Sequence, residues 1–274
     1  MSEIRIAIIG GSGLYELLEE AESRIVETPF GKSPRIDIGV FGEKRVAFLA
    51  RHAKPGSMEV KHEVPPHMIN YRANILALKR LGVKAILATN ACGSLKREYK
   101  PGDILIPDQL IDMTKNRDYT FYDGSVTPKE LIGEGANSTV IHIDFTHPYC
   151  PSLRAIIIDA AKSINLKVHE KGCYVCTEGP RFETPAEIKF FSLIGVDVVG
   201  MTSVPEAILA RELNMCYASI CIITNYAAGM QERISQEEVR GIFNKARDKV
   251  YALLEEAVRR IPRGYVCRCH EAVQ

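Results

Sequence analysis

The chain has 274 residues, of which 46% are apolar and 25% are charged, and its formal net charge is +1. This composition is ordinary for a globular protein with a sizeable core, and one large α/β domain can account for the length. A charge near zero gives no electrostatic case for binding nucleic acid or an anionic membrane. The sequence has neither an apolar run of about 18 residues nor a signal-like N-terminus, so we expect a cytoplasmic protein.

Strand-like and helix-like segments alternate along the first half of the chain. Residues 4–9 form an apolar strand that runs into a glycine turn at 10–13, and residues 14–21 are compatible with a short helix. Residues 53–66 form a polar loop, and a helix at 67–81 ends at Gly82. Further strands are predicted at 25–26, 35–40, 45–50, 84–91 and 103–107.

The same alternation continues through the second half. Helices are predicted at 152–164, 185–194, 205–213 and 236–260, and strands at 140–145, 167–177, 196–200 and 215–224. The pattern predicts one α/β domain, residues 1–262, in which helices flank a mixed central sheet. Residues 263–274 form a polar C-terminal tail that carries Cys267-Arg268-Cys269.

The chain contains eight cysteines, most of which we expect to be buried thiols. Cys173 and Cys176 form a C-x-x-C motif inside a predicted strand, where residues three apart face opposite sides and cannot share a metal ion. Because there is no second such motif, we predict no metal site. Cys267 and Cys269 form either a disulfide bond or a pair of free thiols, and the sequence leaves both open.

Several predicted strands end in small residues and hydrogen-bond donors. The glycine turn at 10–13 is not a dinucleotide fingerprint, because Glu16 occupies a position that requires glycine or alanine, and the P-loop motif is also absent. Strand ends converge on one edge of an open α/β sheet, where ligands bind. Their donors, unaccompanied by acidic groups, describe an anion site such as one for phosphate. The candidates are Ser12, Arg51, His52, Asn90, Ala91 and Thr202.

A second set of candidates is suited to a planar heterocycle. Asn225 ends the apolar strand 215–224, and its amide can both donate and accept hydrogen bonds. Phe182 can stack on a base, and Glu183 can accept a hydrogen bond from a ring N–H. Each also has an ordinary structural interpretation: a turn residue, a core phenylalanine and a carboxylate at a helix start.

Seven segments, in order between about residues 4 and 261, resemble the methylthioadenosine phosphorylase branch of the purine nucleoside phosphorylases. They are Gly10-Gly11-Ser12-Gly13-Leu14, Arg51-His52, Asn70-Tyr71-Arg72-Ala73-Asn74, Ala91-Cys92-Gly93-Ser94-Leu95, Pro101-Gly102-Asp103, Glu178-Gly179-Pro180-Arg181-Phe182 and Met201-Thr202-x-Val204-Pro205-Glu206. The resemblance implies a phosphorylase-type α/β fold, usually a homotrimer or a dimer of trimers. It implies a glycosyltransferase (a pentosyltransferase) of purine salvage, which cleaves the N-glycosidic bond with inorganic phosphate.

The resemblance also implies roles for individual residues. Phosphate would be bound by Ser12, Arg51, His52, Asn90, Ala91 (through its backbone) and Thr202. The nucleoside would contact Met201 under the ribose, Phe182 and Glu183 at the base, Asn225 at purine N7 with Tyr226 and Ala227 beside it, and His142 from the neighbouring subunit. Inorganic phosphate is then a co-substrate, and no cofactor or metal is implied.

Two departures from the adenosine-type pattern indicate which purine is bound. Asn225-Tyr226-Ala227 stands where those members carry Asp-Tyr-Asp, and Glu183 stands where they carry serine; both exchanges resemble 6-oxopurine-specific phosphorylases. An ionised Glu183 can only accept, which suits the N1–H of hypoxanthine or guanine, and Asn225 can donate to O6 or N7. We therefore predict 6-oxopurine nucleosides: inosine, guanosine or 5′-methylthioinosine. Residues 140–149 also resemble the methylthioinosine phosphorylases.

Other functions remain open at this stage. A methylthioadenosine phosphorylase could tolerate the exchanges by protonating Glu183. A nucleoside-binding protein without catalysis, or a nucleotide-dependent oxidoreductase, is a third possibility, although the failed dinucleotide fingerprint argues against the latter. Gln236 is polar where members that accept methylthio groups often have an apolar residue, which hints at a 5′-hydroxyl substrate. The sequence decides neither the 5′ group nor trimer against hexamer.

Overall fold

The computed structural model describes residues 4–11, 18, 21–127, 131 and 140–273. Within these residues the strands are β1 (Ile6–Gly10), β2 (Glu22–Arg24), β3 (Glu27–Thr28), β4 (Gly31–Lys32), β5 (Ile36–Phe41), β6 (Lys44–Ala50), β7 (Ala85–Ser94), β8 (Ile104–Leu105), β9 (Gln109–Met113), β10 (Cys173–Thr177), β11 (Val198–Gly200) and β12 (Cys216–Tyr226). The helices are α1 (Tyr71–Arg80), α2 (Pro151–Ser163), α3 (Pro185–Leu193), α4 (Ser203–Glu212) and α5 (Gln236–Arg260), with 3-10 turns at Pro66–Met68 and Arg268–Glu271.

Ten strands form one mixed sheet in the order β2-β5-β6-β1-β7-β11-β10-β9, with β12 paired to β7 and β8 paired to β12. Alternate residues of β1 are buried on opposite faces of this sheet, as the two-residue period of a strand requires. Ile8 packs in the core layer that contains residues of α2 and α5. Ile9 packs in the layer that contains residues of α1 and α4. The sheet is therefore covered on both faces, which is why its central strands are almost wholly apolar.

The central strand β7 has one continuous and one interrupted edge. β12 pairs with β7 along its whole length, from Ala85 to Ser94. On the other edge, β1 pairs in parallel up to Ala88, and β11 pairs antiparallel with Gly93 and Ser94. The ends of β1 and β11 therefore approach each other from opposite directions, and residues 89–92 lie between them without a strand partner on that edge of the described sheet. We call this interval the β7 gap.

Strand β12 carries a bulge near its end. Its register with β7 shifts between Ile223 and Asn225, so that Thr224 is an extra residue with no partner of its own in the ladder. Consecutive strand residues normally face opposite sides. At this bulge the Thr224 hydroxyl donates to Asn225 Oδ1 over 2.8 Å, so both side chains lie together.

The predicted α/β architecture is confirmed, and the last helix has the predicted bounds, 236–260. The predicted strand at 140–145 is wrong, since these residues are irregular. Their exposure alternates as in a strand, but the Arg211 guanidinium, in place of a neighbouring strand, binds the backbone carbonyl oxygens of Asp144 and His147. Strand β9 was not predicted. The helix proposed for 14–21 falls largely outside the described residues.

The C-terminal tail packs onto the domain. Asn214 exchanges two hydrogen bonds with the backbone of Val273, and Cys269 is buried in the core layer that contains residues of α2 and α5. Cys269 is therefore a buried thiol, although it belongs to the segment predicted to be a polar tail. Among the described residues, no helix has both the length and the apolar composition required to cross a bilayer.

Candidate functional site

A cavity of about 470 Å³ opens at the β7 gap. Its volume is in the range of small-molecule sites, about 300–1,000 Å³. Its walls include many of the residues that the sequence nominated: Arg51, His52, Asn90, Ala91, Phe182, Glu183, Met201, Thr202, Asn225 and Gln236. A second cavity of about 430 Å³ is lined by Arg5, Lys44, Lys84 and Arg263 among others and contains none of the nominated residues.

Arg51 is held by a buried ion pair at the floor of the cavity. Its Nε and Nη2 donate to the two carboxylate oxygens of Glu206 over 2.7 and 3.1 Å, and Nη1 donates to the Thr89 carbonyl over 2.6 Å. Arg51 and Glu206 are each 2% exposed. Burial disfavours the guanidinium charge, but the attraction of Glu206 outweighs it and raises the pKa of Arg51.

The ion pair leaves donors for a ligand. The two bonds to Glu206 and the one to the Thr89 carbonyl use three of the five guanidinium N–H groups of Arg51. Within the described residues, one N–H on each terminal nitrogen remains for an anion. Tyr217 donates its hydroxyl to Glu206 over 2.7 Å, which fixes the carboxylate in turn. The cavity therefore offers a rigid cationic fork.

His52 presents a neutral ring to the cavity. Its Nδ1 lies 2.8 Å from the Val64 carbonyl oxygen. Burial, followed by the neighbouring His62, lowers the pKa of His52 to about 3, and the two rings stack with centroids 4.1 Å apart. Since the carbonyl requires a proton on Nδ1, Nε2 carries a lone pair. This nitrogen can accept a hydrogen bond from a protonated phosphate oxygen.

Asn90 and Thr202 meet on the side of the cavity nearest β11. The Thr202 hydroxyl donates to Asn90 Oδ1 over 2.7 Å, and Asn90 Nδ2 donates to the Ser219 hydroxyl over 2.8 Å. Thr202 immediately precedes α4, whose positive N-terminal end favours an anion. Ala91 lies in the β7 gap and is exposed, although its neighbours in β7 are buried. This side of the cavity allows a ligand to approach the backbone closely.

Glu183 is a buried carboxylate that also lines the cavity. The Thr177 hydroxyl donates to its Oε1 over 2.6 Å. Burial raises the pKa of Glu183 above its usual value, and this hydrogen bond opposes the shift. The pair places a hydrogen-bond acceptor, restrained at one oxygen, in the cavity beside Phe182, which is 38% exposed.

Asn225 is oriented by its own neighbours. Its Oδ1 accepts from the Thr224 hydroxyl, and its Nδ2 donates to the Tyr226 carbonyl over 2.9 Å. One amide hydrogen therefore remains for a ligand. A Cβ at Gly93 would lie 3.1 Å from Asn225 Nδ2, so only glycine leaves the amide this room without a shift. The amide is thereby presented as a donor.

Met201 is held in place by a contact that the sequence did not reveal. Gly179 has a positive φ of 64°, and a Cβ there would lie 2.6 Å from Met201 Sδ. Arg117, which is buried, donates to the Met201 carbonyl over 2.7 Å and to the carbonyls of Thr177 and Glu178. Arg117 thus ties the end of β10 to the residue after β11. Nothing in the sequence near Arg117 indicated this role.

Helix α5 supplies a wall that the sequence analysis found only in part. Gln236, Val239, Arg240 and Phe243 all line the cavity. These positions recur at helical spacing, so they share one face of α5, and this periodicity was a usable signal. His62, also missed, lies on the facing loop; burial and then Arg240 lower its pKa.

Three nominated residues do not line the cavity in the described chain. Tyr226 directs its hydroxyl to the Arg97 carbonyl over 3.1 Å, and Ala227 donates its N–H to the Ser94 carbonyl. His142 is exposed on an irregular segment. Ser12 lies outside the described residues. The roles inferred for these four remain predictions.

Comparison with known proteins identifies relatives of this arrangement. A family model described as "Phosphorylase superfamily" matches residues 5–259. A 6-oxopurine nucleoside phosphorylase from Pyrococcus furiosus is 50% identical over 272 residues, covering 98% of each chain. An S-methyl-5′-thioadenosine phosphorylase from the same organism is 46% identical over 271 residues, again covering 98% of each. Overall identity therefore separates the two kinds of relative only slightly.

Comparison with solved structures also identifies phosphorylases as relatives of this chain. A methylthioadenosine phosphorylase from an antarctic soil metagenomic library superposes with a TM-score of 0.85 at 36% identity, covering 100% of this chain and 92% of that one. A Schistosoma mansoni methylthioadenosine phosphorylase in complex with adenine superposes with a TM-score of 0.83 at 36% identity, covering 93% and 91%.

The buried ion pair leads to a stability prediction. In Glu206→Leu, the Arg51 guanidinium stays buried without its carboxylate, and we expect the free energy of unfolding to fall by about 3–5 kcal/mol. Urea unfolding, followed by circular dichroism at a fixed protein concentration, measures the loss. Arg51→Met combined with Glu206→Leu should recover part of it, because no unpaired charge remains.

The matched control is Glu170→Leu, which removes a half-exposed carboxylate paired with Lys162. Such surface pairs contribute only about 0–1 kcal/mol. A loss in Glu206→Leu no larger than the loss in this control would contradict the prediction.

Proposed function

The chain belongs to the phosphorylase superfamily, and from this premise we propose that it is a purine nucleoside phosphorylase that cleaves 6-oxopurine nucleosides with inorganic phosphate. The substrate choice rests on two residues that line the same cavity. Glu183 is a buried hydrogen-bond acceptor, and Asn225 is an oriented donor. A 6-oxopurine has a donor at N1–H and acceptors at O6 and N7. This pair complements that pattern.

Adenine fits the pair poorly. Its N1 is an acceptor and would face an ionised Glu183 carboxylate, and its N6 amino group would face the Asn225 amide N–H. Each mismatch leaves a buried polar group unpaired, at a cost of about 1–3 kcal/mol. A site built from polar groups can therefore reject the wrong purine strongly.

Phosphate is proposed to bind in the β7 gap. The remaining N–H groups of Arg51 and the N-terminal end of α4 attract its negative charge, and His52 Nε2 accepts from a protonated phosphate oxygen. Asn90, Ala91 and Thr202 complete the described part of this subsite, and Ser12 is proposed to join them. Because these groups are fixed before the ligand arrives, little reorganisation accompanies binding.

The reaction exchanges one bond at the sugar for another. A phosphate oxygen bonds to C1′ while the bond from C1′ to purine N9 breaks, and the bonding electron pair leaves with the base. Phosphate balances the positive charge that develops on the sugar. The Asn225 N–H stabilises the negative charge that develops on the base at N7. A proton from solvent then completes the free base, and the other product is ribose-1-phosphate or its 5-methylthio analogue. No cofactor is needed for this exchange.

The sugar's 5′ end is proposed to meet α5. Gln236 and Arg240 place polar side chains on this part of the wall, next to the apolar Val239. A 5′-hydroxyl can hydrogen-bond with these groups, whereas a methylthio group gains only from the apolar part. We therefore propose that inosine and guanosine are preferred to 5′-methylthioinosine.

A homo-oligomer, a trimer or a dimer of trimers, is the proposed assembly, acting in the cytoplasm. In such an assembly the exposed His142 of one chain would reach the 5′ end of a nucleoside held by its neighbour. The molar mass in solution, compared with 30.5 kDa for one chain, distinguishes the two assemblies.

One specific observation supports a second candidate function. Burial raises the pKa of Glu183, and a protonated carboxyl can donate to adenine N1. The chain would then act as an S-methyl-5′-thioadenosine phosphorylase of methionine salvage, like relatives at 46% identity.

A direct assay tests the proposed function. The protein is incubated with inosine, 5′-methylthioinosine, adenosine and methylthioadenosine, each with phosphate or with sulfate at equal ionic strength, and base release is followed by chromatography. We expect hypoxanthine only with phosphate, and adenine at least about 30-fold more slowly, which corresponds to two polar mismatches of at least about 1 kcal/mol each. Release without phosphate would refute the phosphorylase assignment, and equal release of adenine would refute the 6-oxopurine preference.

Exchanging the base-contacting pair should reverse the preference. In Glu183→Ser combined with Asn225→Asp, the acceptor at N1 is lost and a new acceptor faces N6. We expect the ratio of kcat/KM for inosine to that for adenosine to fall about 30-fold or more, from two mismatches of at least about 1 kcal/mol each. Glu170→Ser, outside the cavity, is the control. An unchanged ratio in the double variant would place the specificity elsewhere.

The raised pKa of Glu183 predicts a pH effect on specificity. As the pH falls through this pKa, the Glu183 carboxylate takes up a proton and becomes a hydrogen-bond donor. The N1–H of inosine then lacks an acceptor, whereas N1 of adenosine gains a donor. The ratio of kcat/KM for inosine to that for adenosine should therefore fall as the pH is lowered through this pKa, which lies above the usual value of a glutamate carboxyl. Phosphate ionisation cancels in this ratio. In Glu183→Gln the ratio should stay constant, and a constant ratio in the unmodified protein would count against the prediction.

A further inference from the structure

Four cysteines from three distant parts of the chain meet at the end of β12 that lies away from Asn225. Cys150 precedes α2, Cys216 is the first residue of β12, and Cys267 and Cys269 belong to the tail. Their four Sγ atoms all lie within 4.8 Å of one another. The Sγ atom of Cys267 is 3.4 Å from that of Cys150 and 3.7 Å from that of Cys269. We call this set the thiol cluster.

Cysteine sulfur atoms that lie this close together can form disulfide bonds or bind one metal ion. A disulfide bond would bring two sulfur atoms to about 2.05 Å, and all eight cysteines are free in the structure. Four sulfur atoms at about 2.3 Å from one zinc ion, arranged tetrahedrally, are about 3.8 Å apart. The distances from Cys267 Sγ to the sulfur atoms of Cys150 and Cys269, 3.4 and 3.7 Å, are close to this value.

We propose that Cys150, Cys216, Cys267 and Cys269 form a structural tetrathiolate site for a thiophilic divalent cation, Zn²⁺ in the first place. Four protein ligands close the coordination shell and leave no position for water or substrate, as in structural zinc sites. The site is also remote from the cavity along β12, so it takes no part in the phosphorolysis proposed above.

The surroundings of the cluster are suited to bound thiolates. The Leu153 N–H donates to Cys150 Sγ over 3.4 Å at the start of α2, and the Tyr265 hydroxyl lies 3.3 Å from the same sulfur. His270 Nε2 lies 3.6 Å from Cys216 Sγ. The Leu153 N–H, together with the Tyr265 hydroxyl once the sulfur is a thiolate, supplies donors that orient metal ligands and spread their negative charge. Three of the four cysteines are buried, and Cys267 is partly buried.

The sequence could not indicate this site. The prediction that no metal binds rested on Cys173 and Cys176, whose spacing imitates a zinc motif but which lie three apart in β10. The proposed ligands Cys150 and Cys216 are each isolated in the sequence, and only the fold brings them to the tail pair. The disulfide suggested for Cys267 and Cys269 is the competing chemistry for the same sulfur atoms.

The site would fasten the tail to the domain. Cys267 and Cys269 would be joined through the metal to the starts of α2 and β12, beside the bonds between Asn214 and Val273. Metal loss should therefore lower thermal stability while leaving base release by the folded protein unchanged.

Metal content and cobalt spectra test the proposal. The full-length protein is produced with added Zn²⁺, purified under reducing conditions without chelator, and measured by elemental analysis and native mass spectrometry. We expect one zinc ion per chain, and loss of that ion in Cys150→Ser and Cys267→Ser. Cys173→Ser, a partly buried thiol outside the cluster, should retain it.

The unmodified chain provides a test that does not depend on folding of the variants. After removal of zinc under reducing conditions, addition of Co²⁺ should produce the visible bands of tetrahedral cobalt thiolate with one-to-one stoichiometry, and the melting temperature should rise. An absence of bound zinc together with an absence of these bands would overturn the proposal. Disulfide bonds in the cluster would also overturn it. They would lower the mass of the denatured, unreduced chain by two hydrogens each relative to the reduced chain, and they would make the cluster cysteines resistant to alkylation.

Discussion

Along one edge of β7, the ends of β1 and β11 approach each other and leave residues 89–92 without a strand partner. A buried backbone needs hydrogen-bond partners, so such an interruption must be filled by side chains or by a ligand. Arg51 fills part of it by donating to the Thr89 carbonyl. The rest opens into the cavity, which places a ligand against backbone and donor groups that the sheet itself does not use.

The polar groups around this opening are held in place by hydrogen bonds from neighbouring side chains. Glu206 and Tyr217 fix Arg51, and Thr177 restrains Glu183. In each case one part of the group is held by the protein, while another part faces the cavity. This arrangement costs desolvation of a buried charge, but it gives geometry that need not be rebuilt when a ligand binds.

Residues at strand ends could be predicted from the sequence, because a change from apolar to polar residues marks the sheet edge. Arg51, Thr202 and Asn225 were found in this way. Contacts between distant segments could not be predicted: Glu206 is 155 positions from Arg51, and Arg117 supports Met201 from a loop with no motif. The segment 140–145 imitated a strand because apolar and polar residues alternate within it, although no strand in the described part of the chain pairs with it.

The bulge in β12 has a consequence for how this site can diverge. Because Thr224 is an extra residue in the ladder, Asn225 faces the cavity only while the strand keeps its present length. A deletion or insertion there would turn a different side chain toward the ligand, since one step along a strand reverses its face. The proposed base preference would thus depend on the residue count of β12 as well as on the identity of position 225. Substitutions in β12 can therefore change the specificity without changing the register of the strand. Insertions and deletions leave this register intact only when they lie beyond Tyr226.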